Sequence, residues 1–498
     1  MGDLPMKPVR LSRAALRELP RHVVRPAYEP ASVAAGIVHL GIGGFHRAHM
    51  ARFTHDLLDM EPAAREWGIV GAGLLSADRR MLDVLSAQDR LYTLVEHDGA
   101  SETVTVIGAI TDLAHAADDS AALLQIIDRP VIRIVSLTVT ENGYCLNPAT
   151  KQLDFAHPTI VSDLAHPDRP HSAIAIIVEA LLRRMVDGRP AFTALSCDNI
   201  QHNGNVLRRA VLEFADRRDV ELAAWIENHG RFPNTMVDRI TPVTRPEAIA
   251  GLAARHGIDD GWPVFCESFR QWVIEDDFAQ GRPQWERVGA QFVGDVAPYE
   301  FMKLRLLNTS HLAIACLGRL SGYTFIDETM RDSRLRRYMQ ALMDRETGPT
   351  LRPVPGIDLR SYKATLIGRF ANPAINDTVE RVNTDAPLNV LVDPIRDRLK
   401  TGQSVDLLAL ALAAWLRRMR GVDEAGHPIE IRHPAADLLR ERAIEGGADP
   451  RPMLAIERLF GELARHEAFV NSVAKWLASL YAAGAAQTLA RAERELAF

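Results

Sequence analysis

The chain has 498 residues, enough for two or three domains with large cores. Its 58 basic and 64 acidic residues leave a net charge of -6 and no basic stripe of the kind that tracks nucleic acid. Its longest apolar run, LLALALAAWL (407–416), falls short of the ~20 residues that cross a bilayer and reads as a buried helix, so no membrane partner is expected.

Met1 to Pro30 holds no continuous apolar stretch like a signal peptide. Cys145, Cys197, Cys266 and Cys316 lie far apart with no C-x-x-C among them, which predicts a reduced, cytoplasmic protein without a disulfide framework or zinc site. In chain order, GIVHLGIG (36–43) reads as a buried strand running into a glycine turn, and FHRAHMARFTHDLLDM (45–60) as a helix. WGIVGAGLL (67–75) is a second buried strand. RLYTLVEHDGASETVTVIGAI (90–110) is a hairpin around Asp98-Gly99. VIRIVSLTVT (131–140) and AFTALSC (191–197) are two more buried strands, with a helix near 171–186 between them. Strands alternating with helices predict an α/β fold with a largely parallel sheet.

Near residue 290 the pattern turns helical, at 298–320, 330–345, 388–400, 404–420, 434–446, 450–464 and 466–494, with a loop at GPTLRPVPG (348–356). The expected organisation is a Rossmann-type dinucleotide-binding domain over 1–290 and an α-helical substrate and catalytic domain over 291–498, with a small-molecule site in a cleft.

LGIGGFHRAH (40–49) follows a strand and opens a helix. Gly41 and Gly43 allow a tight turn and a close approach of pyrophosphate to a helix N-terminus. G-x-G-x-x-G would place its third glycine at His46, so the match is incomplete. In LLSADRRM, Asp78 can hold an adenosine ribose and favour NAD, or cap a helix; Arg79 and Arg80 keep NADP open. Two strands end in polar clusters, Glu141-Asn142-Gly143 and Asp198-Asn199, where a nicotinamide or substrate would sit in an open α/β sheet, or where simple turns would form.

PYEFMKLRLLNTSHLAIACLG (298–318) is an apolar helix with a polar stripe. At about 100° per residue, with Lys303 at zero, Glu300 falls near ~60°, His311 near ~80° and Asn308 near ~140°. All four share an arc of about 140°, while Lys303 and His311 stand about 12 Å apart along an ideal helix axis. The stripe is either a solvated helix face or a site for alcohol oxidation. For the latter, a lysine deprived of solvent serves as base, and Asn308 and His311 hydrogen-bond the reacting oxygen.

K-x4-N-x2-H in this stretch resembles the catalytic signature of the mannitol 2-dehydrogenase family, the polyol-specific long-chain dehydrogenases. FPNTMVDRITP (232–242), GIGGFHRAH, SLTVTENGY, SCDNIQHNG and SFRQWVIEDDF look like further family blocks, in the family's order. The resemblance runs from about residue 30 to beyond 430. It implies an NAD-dependent, metal-independent oxidation of a polyol to a ketose, with Lys303 as general base and Asn308, His311 and Asn199 at the reacting oxygen. Glu300 would gate proton release. Asp238, Arg381 and Glu141 would serve the substrate, and Gly41, Gly43, Phe45, Arg47 and Asp78 the NAD. The family includes a monomeric form, so a monomer or weak homo-oligomer is expected.

RVNTDAPLNV departs from the D-G-S-x-K segment of many relatives, at Ala386, Pro387 and Asn389, which puts the distal substrate contacts in question. An aldonate oxidoreductase of the same family, a fructuronate or tagaturonate reductase, is the alternative. It would need an arginine such as Arg381 or Arg305 free for a carboxylate. Tyr299 and Lys303 also form the Y-x-x-x-K of short-chain dehydrogenases, which would make the tyrosine the acid/base. A catalytically inactive NAD-binding regulator would be expected to lack one of Lys303, Asn308 and His311. A zinc alcohol dehydrogenase lacks clustered cysteine and histidine ligands.

Overall fold

The apolar runs become strands, in a computed structural model that describes residues 8–498. The chain divides into two units, one ending at Val296 and the other running Ala297–Phe498. In the first, β1 (Ala35–Leu40) leads to α1 (Gly44–Ala48) and α2 (Met50–Met60), and β2 (Gly68–Gly73) to α3 (Arg79–Ala87). A hairpin of β3 (Tyr92–Asp98) and β4 (Ser101–Ile107) precedes β5 (Ile110–His115) and α4 (Ala116–Ile127). Then come β6 (Ile134–Leu137), α5 (Ala173–Val186), β7 (Thr193–Ser196) and α6 (Asn203–Arg218). β8 (Thr235–Asp238), α7 (Pro246–His256), β9 (Val264–Glu267), β10 (Gln271–Glu275) and β11 (Gln291–Val293) complete the unit.

The main sheet has five strands in the order β5-β2-β1-β6-β7, all parallel. Apolar side chains cover both of its faces, which is why its strands read as unbroken hydrophobic runs. The strand order reverses between β1 and β6, which pair from Ile37–Ile134 to Leu40–Leu137. Two further three-stranded sheets, β9-β3-β4 and β11-β10-β8, pack around this one.

Two expectations need correction here. The helix predicted over 45–60 is two helices, broken at His49 (φ -113°, ψ -89°), whose buried ring reaches the Gln271 carbonyl through Nε2 at 2.9 Å. The hairpin predicted to 110 ends at Ile107, and Ile110 already belongs to the main sheet.

The second unit begins with α8 (Ala297–Met302), a π-helical turn (Lys303–Asn308) and α9 (Thr309–Leu320). α10 (Ser333–Ala341) also runs into a π-helical segment, Leu342–Thr347. α11 (Leu359–Phe370), α12 (Val379–Asp385), α13 (Asn389–Lys400), α14 (Asp406–Arg418) and α15 (Glu467–Leu496) follow. α14 carries LLALALAAWL and is buried from Leu407 to Arg418, packed by α9 and α15. Its N-terminal N–H groups are met by Glu346, which accepts from Leu407 and Leu408 at 2.9 and 2.8 Å. Burial raises that carboxyl to about 7, against the pull of the two N–H groups.

α11 and α12 were not expected from the sequence. The helix predicted over 450–464 is broken into Arg451–Leu454, Glu457–Phe460 and a 3-10 turn, Gly461–Arg465. α15 is kinked at Gly484 (φ 77°), where Glu424 accepts the N–H of Ala485. Among the described residues, no helix is long and apolar enough to cross a membrane.

Burial lowers His39, His49 and His55 to about 3, so all three are neutral in the folded chain. Unfolding lets them take up protons near their ordinary value, so their contribution to stability is complete above pH 6.5 and is lost as pH falls towards 3. Urea unfolding followed from pH 7 to 5 should show stability falling with a limiting slope of roughly 1.4 kcal/mol per pH unit for each histidine. A His39→Asn variant should lose one proton's share of that slope.

Candidate active site

The glycine turn sits where the strand order reverses, at the carboxyl end of β1. Gly41 has φ +92°, and a Cβ there would lie 2.2 Å from the Thr138 carbonyl oxygen at the end of β6. The Thr138 N–H bonds Leu40 O, and its hydroxyl donates to Gly41 O at 2.8 Å. Gly41 is thus demanded by the fold itself. Gly43 differs: a Cβ there would meet nothing within 4 Å, so the space beside it is open to a ligand.

His46, in the place of the third fingerprint glycine, is buried and stacks on His39 of β1, with ring centroids 3.4 Å apart. Two imidazoles fill the gap that a glycine would close, and α1 ends two residues later. Arg47 is 2% exposed and donates to the Trp262 carbonyl at 2.7 Å. Burial lowers its pKa, and its Nε has no hydrogen-bond partner. With Phe45, Arg80, Thr241 and Trp262 it lines a cavity of about 370 Å³. The Thr241 hydroxyl there is likewise buried without a partner. A buried guanidinium beside an open glycine turn suits an anionic group such as a pyrophosphate.

Asp78 follows β2 on the same edge. Its Oδ2 accepts the N–H groups of Leu74 and Leu75, both at 2.9 Å, and its side chain approaches Gly73, where a Cβ would lie 2.8 Å away. Arg79 is ion-paired with Asp118. Glu141 is exposed and pairs with Lys151 at 3.1 Å. Asn199 is exposed at the end of β7. Its neighbour Asp198 is buried, which raises its pKa, and it accepts from the Val139 and Thr140 N–H groups and the Tyr144 hydroxyl. Asp238 is buried at the end of β8.

Sequence reasoning passed over two residues that build this edge. Arg239 is fully buried as a side chain and donates to Ala48 O, Glu267 O and Glu96, tying α1 to β9 and β3. Asn203 donates to Asp198 O and Thr235 O and accepts the Thr235 N–H, stitching the end of β7 to β8. Each stands inside a polar cluster of the sequence, which was the available signal.

In the second unit the polar stripe begins with a π turn, whose hydrogen bonds run from residue i to i+5. The straight wheel over 298–320 is therefore corrected. One residue more in the turn rotates everything beyond it back by about 100°, which moves Asn308 to about 40° and His311 to about -20°. The arc holding Glu300, Lys303, Asn308 and His311 narrows from about 140° to about 80°. Glu300, Lys303 and His311 are buried, at 6%, 8% and 8% exposure. That rules out a solvated helix face.

His311 stacks on Phe370 of α11, with centroids 4.4 Å apart, and its Nε2 lies 3.4 Å from Asp377 Oδ2. Burial lowers the imidazole's pKa despite that carboxylate. Burial also pushes Asp377 up, but His311 and Arg381 hold it well below the usual carboxylate range. Arg381 grips Asp377 through two nitrogens, at 2.6 Å each, and reaches Asp385 at 3.2 Å. Arg305 pairs with Asp397 at 2.5 Å and stacks over Phe301. Tyr299 is buried and donates its hydroxyl to Pro355 O at 2.7 Å, a structural bond that commits the tyrosine of the Y-x-x-x-K pair.

Residues 35–287 match the family model for the mannitol dehydrogenase Rossmann domain, and 295–481 that for the mannitol dehydrogenase C-terminal domain. A mannitol dehydrogenase of Saccharomyces cerevisiae is 43% identical over 465 residues, 92% of either chain. The D-mannonate oxidoreductase of Escherichia coli is 42% identical over 476 residues, 94% of this chain and 98% of its own. Among solved structures, Pseudomonas fluorescens mannitol 2-dehydrogenase, in ternary complex with NAD and D-mannitol, superposes with a TM-score of 0.87 at 44% identity, covering 98% of this chain and 100% of its own.

The two glycines should separate in a urea titration. Gly41→Ala forces a side chain into left-handed backbone against a carbonyl, and should cost at least about 2 kcal/mol. Gly43→Ala, at φ -72° with open space around it, should stay within about 1 kcal/mol of the parent.

Proposed function

Because the chain belongs to the mannitol dehydrogenase family, we propose that it oxidises a secondary alcohol of a neutral polyol to the ketone, with NAD as cofactor, and catalyses the reverse reduction. The observation that carries this reading is the face on which the π turn gathers the buried Lys303 and His311 with the half-buried Asn308. NAD, when bound, supplies the hydride acceptor. Its pyrophosphate would lie at Gly41 and Gly43 with Phe45 and Arg47, and its adenosine ribose at Asp78. Asp78 Oδ2 is engaged by backbone, which leaves Oδ1 for ribose hydroxyls. Arg79 is tied to Asp118, which withholds one of the two arginines that could welcome a 2′-phosphate.

Lys303, as the neutral amine, takes the hydroxyl proton, and Glu300 carries it onward. Asn308 donates an amide N–H group to the reacting oxygen as it gains negative charge. With Nε2 turned to Asp377, His311 offers its Nδ1 lone pair to a substrate hydroxyl, an orienting role as acceptor. Arg381 serves the rest of the substrate chain.

The choice of a neutral substrate over an aldonate rests on the arginines. A carboxylate is best held by a guanidinium with both prongs available. Arg381 already holds Asp377 in that way, and Arg305 holds Asp397. The E. coli D-mannonate oxidoreductase keeps the aldonate alternative in the test.

NADH formation should be measured with EDTA present on D-mannitol, D-arabinitol, D-sorbitol, D-mannonate and D-altronate, each with NAD and with NADP. Turnover on a neutral polyol with NAD is expected; turnover confined to an aldonate would replace this reading with the alternative. Lys303→Ala should lose roughly 10²–10⁴ in kcat, while Tyr299→Phe should keep most activity. An inactive Tyr299→Phe that still folds and binds NADH would overturn the assignment of the base.

A further inference from the structure

A π turn is rare, and something must hold it open. Pro394 lies inside α13 and has no N–H, so the carbonyl four residues earlier, Val390 O, lacks its helical partner. The Thr309 hydroxyl, fully buried at the start of α9, lies 2.6 Å from that oxygen. It also lies 3.0 Å from Leu304 O, five residues back, the carbonyl that accepts Thr309's own N–H. In an ordinary α-helix a threonine turns its hydroxyl to the carbonyl three or four residues back. Here the wide turn puts the fifth carbonyl there instead. The arrangement recurs in Leu342–Thr347, which packs against the first π turn and ends in Thr347, with its hydroxyl 3.4 Å from Leu342 O.

We propose that Thr309 is a positioning residue for the reaction. Its hydroxyl is anchored on the carbonyl that Pro394 leaves open, and it holds the wide turn that sets Lys303 and Asn308 on one face. The five-residue spacing of Lys303 and Asn308 equals the hydrogen-bond reach of a π turn, and the two residues stand about 40° apart only while the turn stays wide. Relaxation to an α-helix would rotate everything beyond the turn by about 100°, taking Asn308 from about 40° to about 140° from Lys303 and His311 from about 20° to about 80°. The proposal rests on the roles given above to Lys303 and Asn308.

The test uses the full chain and four variants: Thr309→Val, Thr309→Ser, Thr309→Val combined with Pro394→Ala, and Lys303→Ala. The measurements are thermal stability, NADH binding by fluorescence, and kcat and KM with D-mannitol and NAD. Thr309→Val should lower kcat about 100-fold while NADH affinity stays within about twofold, and Thr309→Ser should recover most of the loss. Pro394→Ala supplies a backbone N–H to Val390 O. In the double variant thermal stability should therefore return while kcat stays low. Recovery of kcat together with stability would show that Thr309 only satisfies a carbonyl, and would overturn the proposal. Full activity in Thr309→Val with an inactive Lys303→Ala would sink the positioning claim alone. An active Lys303→Ala would sink the reading of the site, and this proposal with it.

Discussion

A parallel sheet sealed by apolar side chains on both faces leaves its carboxyl edge as the place for polar chemistry, and that constraint orders the first unit. Gly41, Thr138, Asp78, Asp198 and Asn199 all stand at or just past strand ends of one sheet. Their buried members cannot be left unpaired, because an unsatisfied polar group away from water is costly. The edge is therefore built from backbone bonds: Asp198 takes two N–H groups, Asp78 two more, and Asn203 closes β7 on β8. Arg239 ties three elements together from below. Against this bonded frame, the open space at Gly43 stands out as a place made for something else.

Charge in the second unit is handled by its own neighbours. Arg381, Arg305 and Glu346 are each met inside the unit, by Asp377, by Asp397 and by the start of α14. Of the arginines on and near the helix that carries Lys303, Asn308 and His311, Arg305 and Arg381 thus have their charge balanced by aspartates.

The same accounting reaches the backbone. Pro394 removes one donor from α13, and the freed carbonyl is met by a hydroxyl from α9. A proline and a threonine 85 positions apart thereby join two helices through one oxygen. The wheel drawn on a straight helix gave the wrong angles, since it had no means to include the extra residue of a π turn.

Much of this protein was written in local pattern. Unbroken apolar runs marked the strands of the main sheet, because strands buried on both faces can carry little else. The glycine turn, the polar strand ends and the K-x4-N-x2-H spacing marked candidate site residues for the same kind of reason. Each is a short-range requirement of backbone or side-chain chemistry, and the family blocks ran in order along the chain. Tertiary structure alone decided the rest. The break at His49 depends on a carbonyl in Gln271, the neutralisation of Arg305 on an aspartate 92 residues away, and the setting of His311 on Asp377 and Phe370. An α turn and a π turn differ by a single residue in hydrogen-bond reach. No local propensity separates them, and a partner from a distant helix makes the choice.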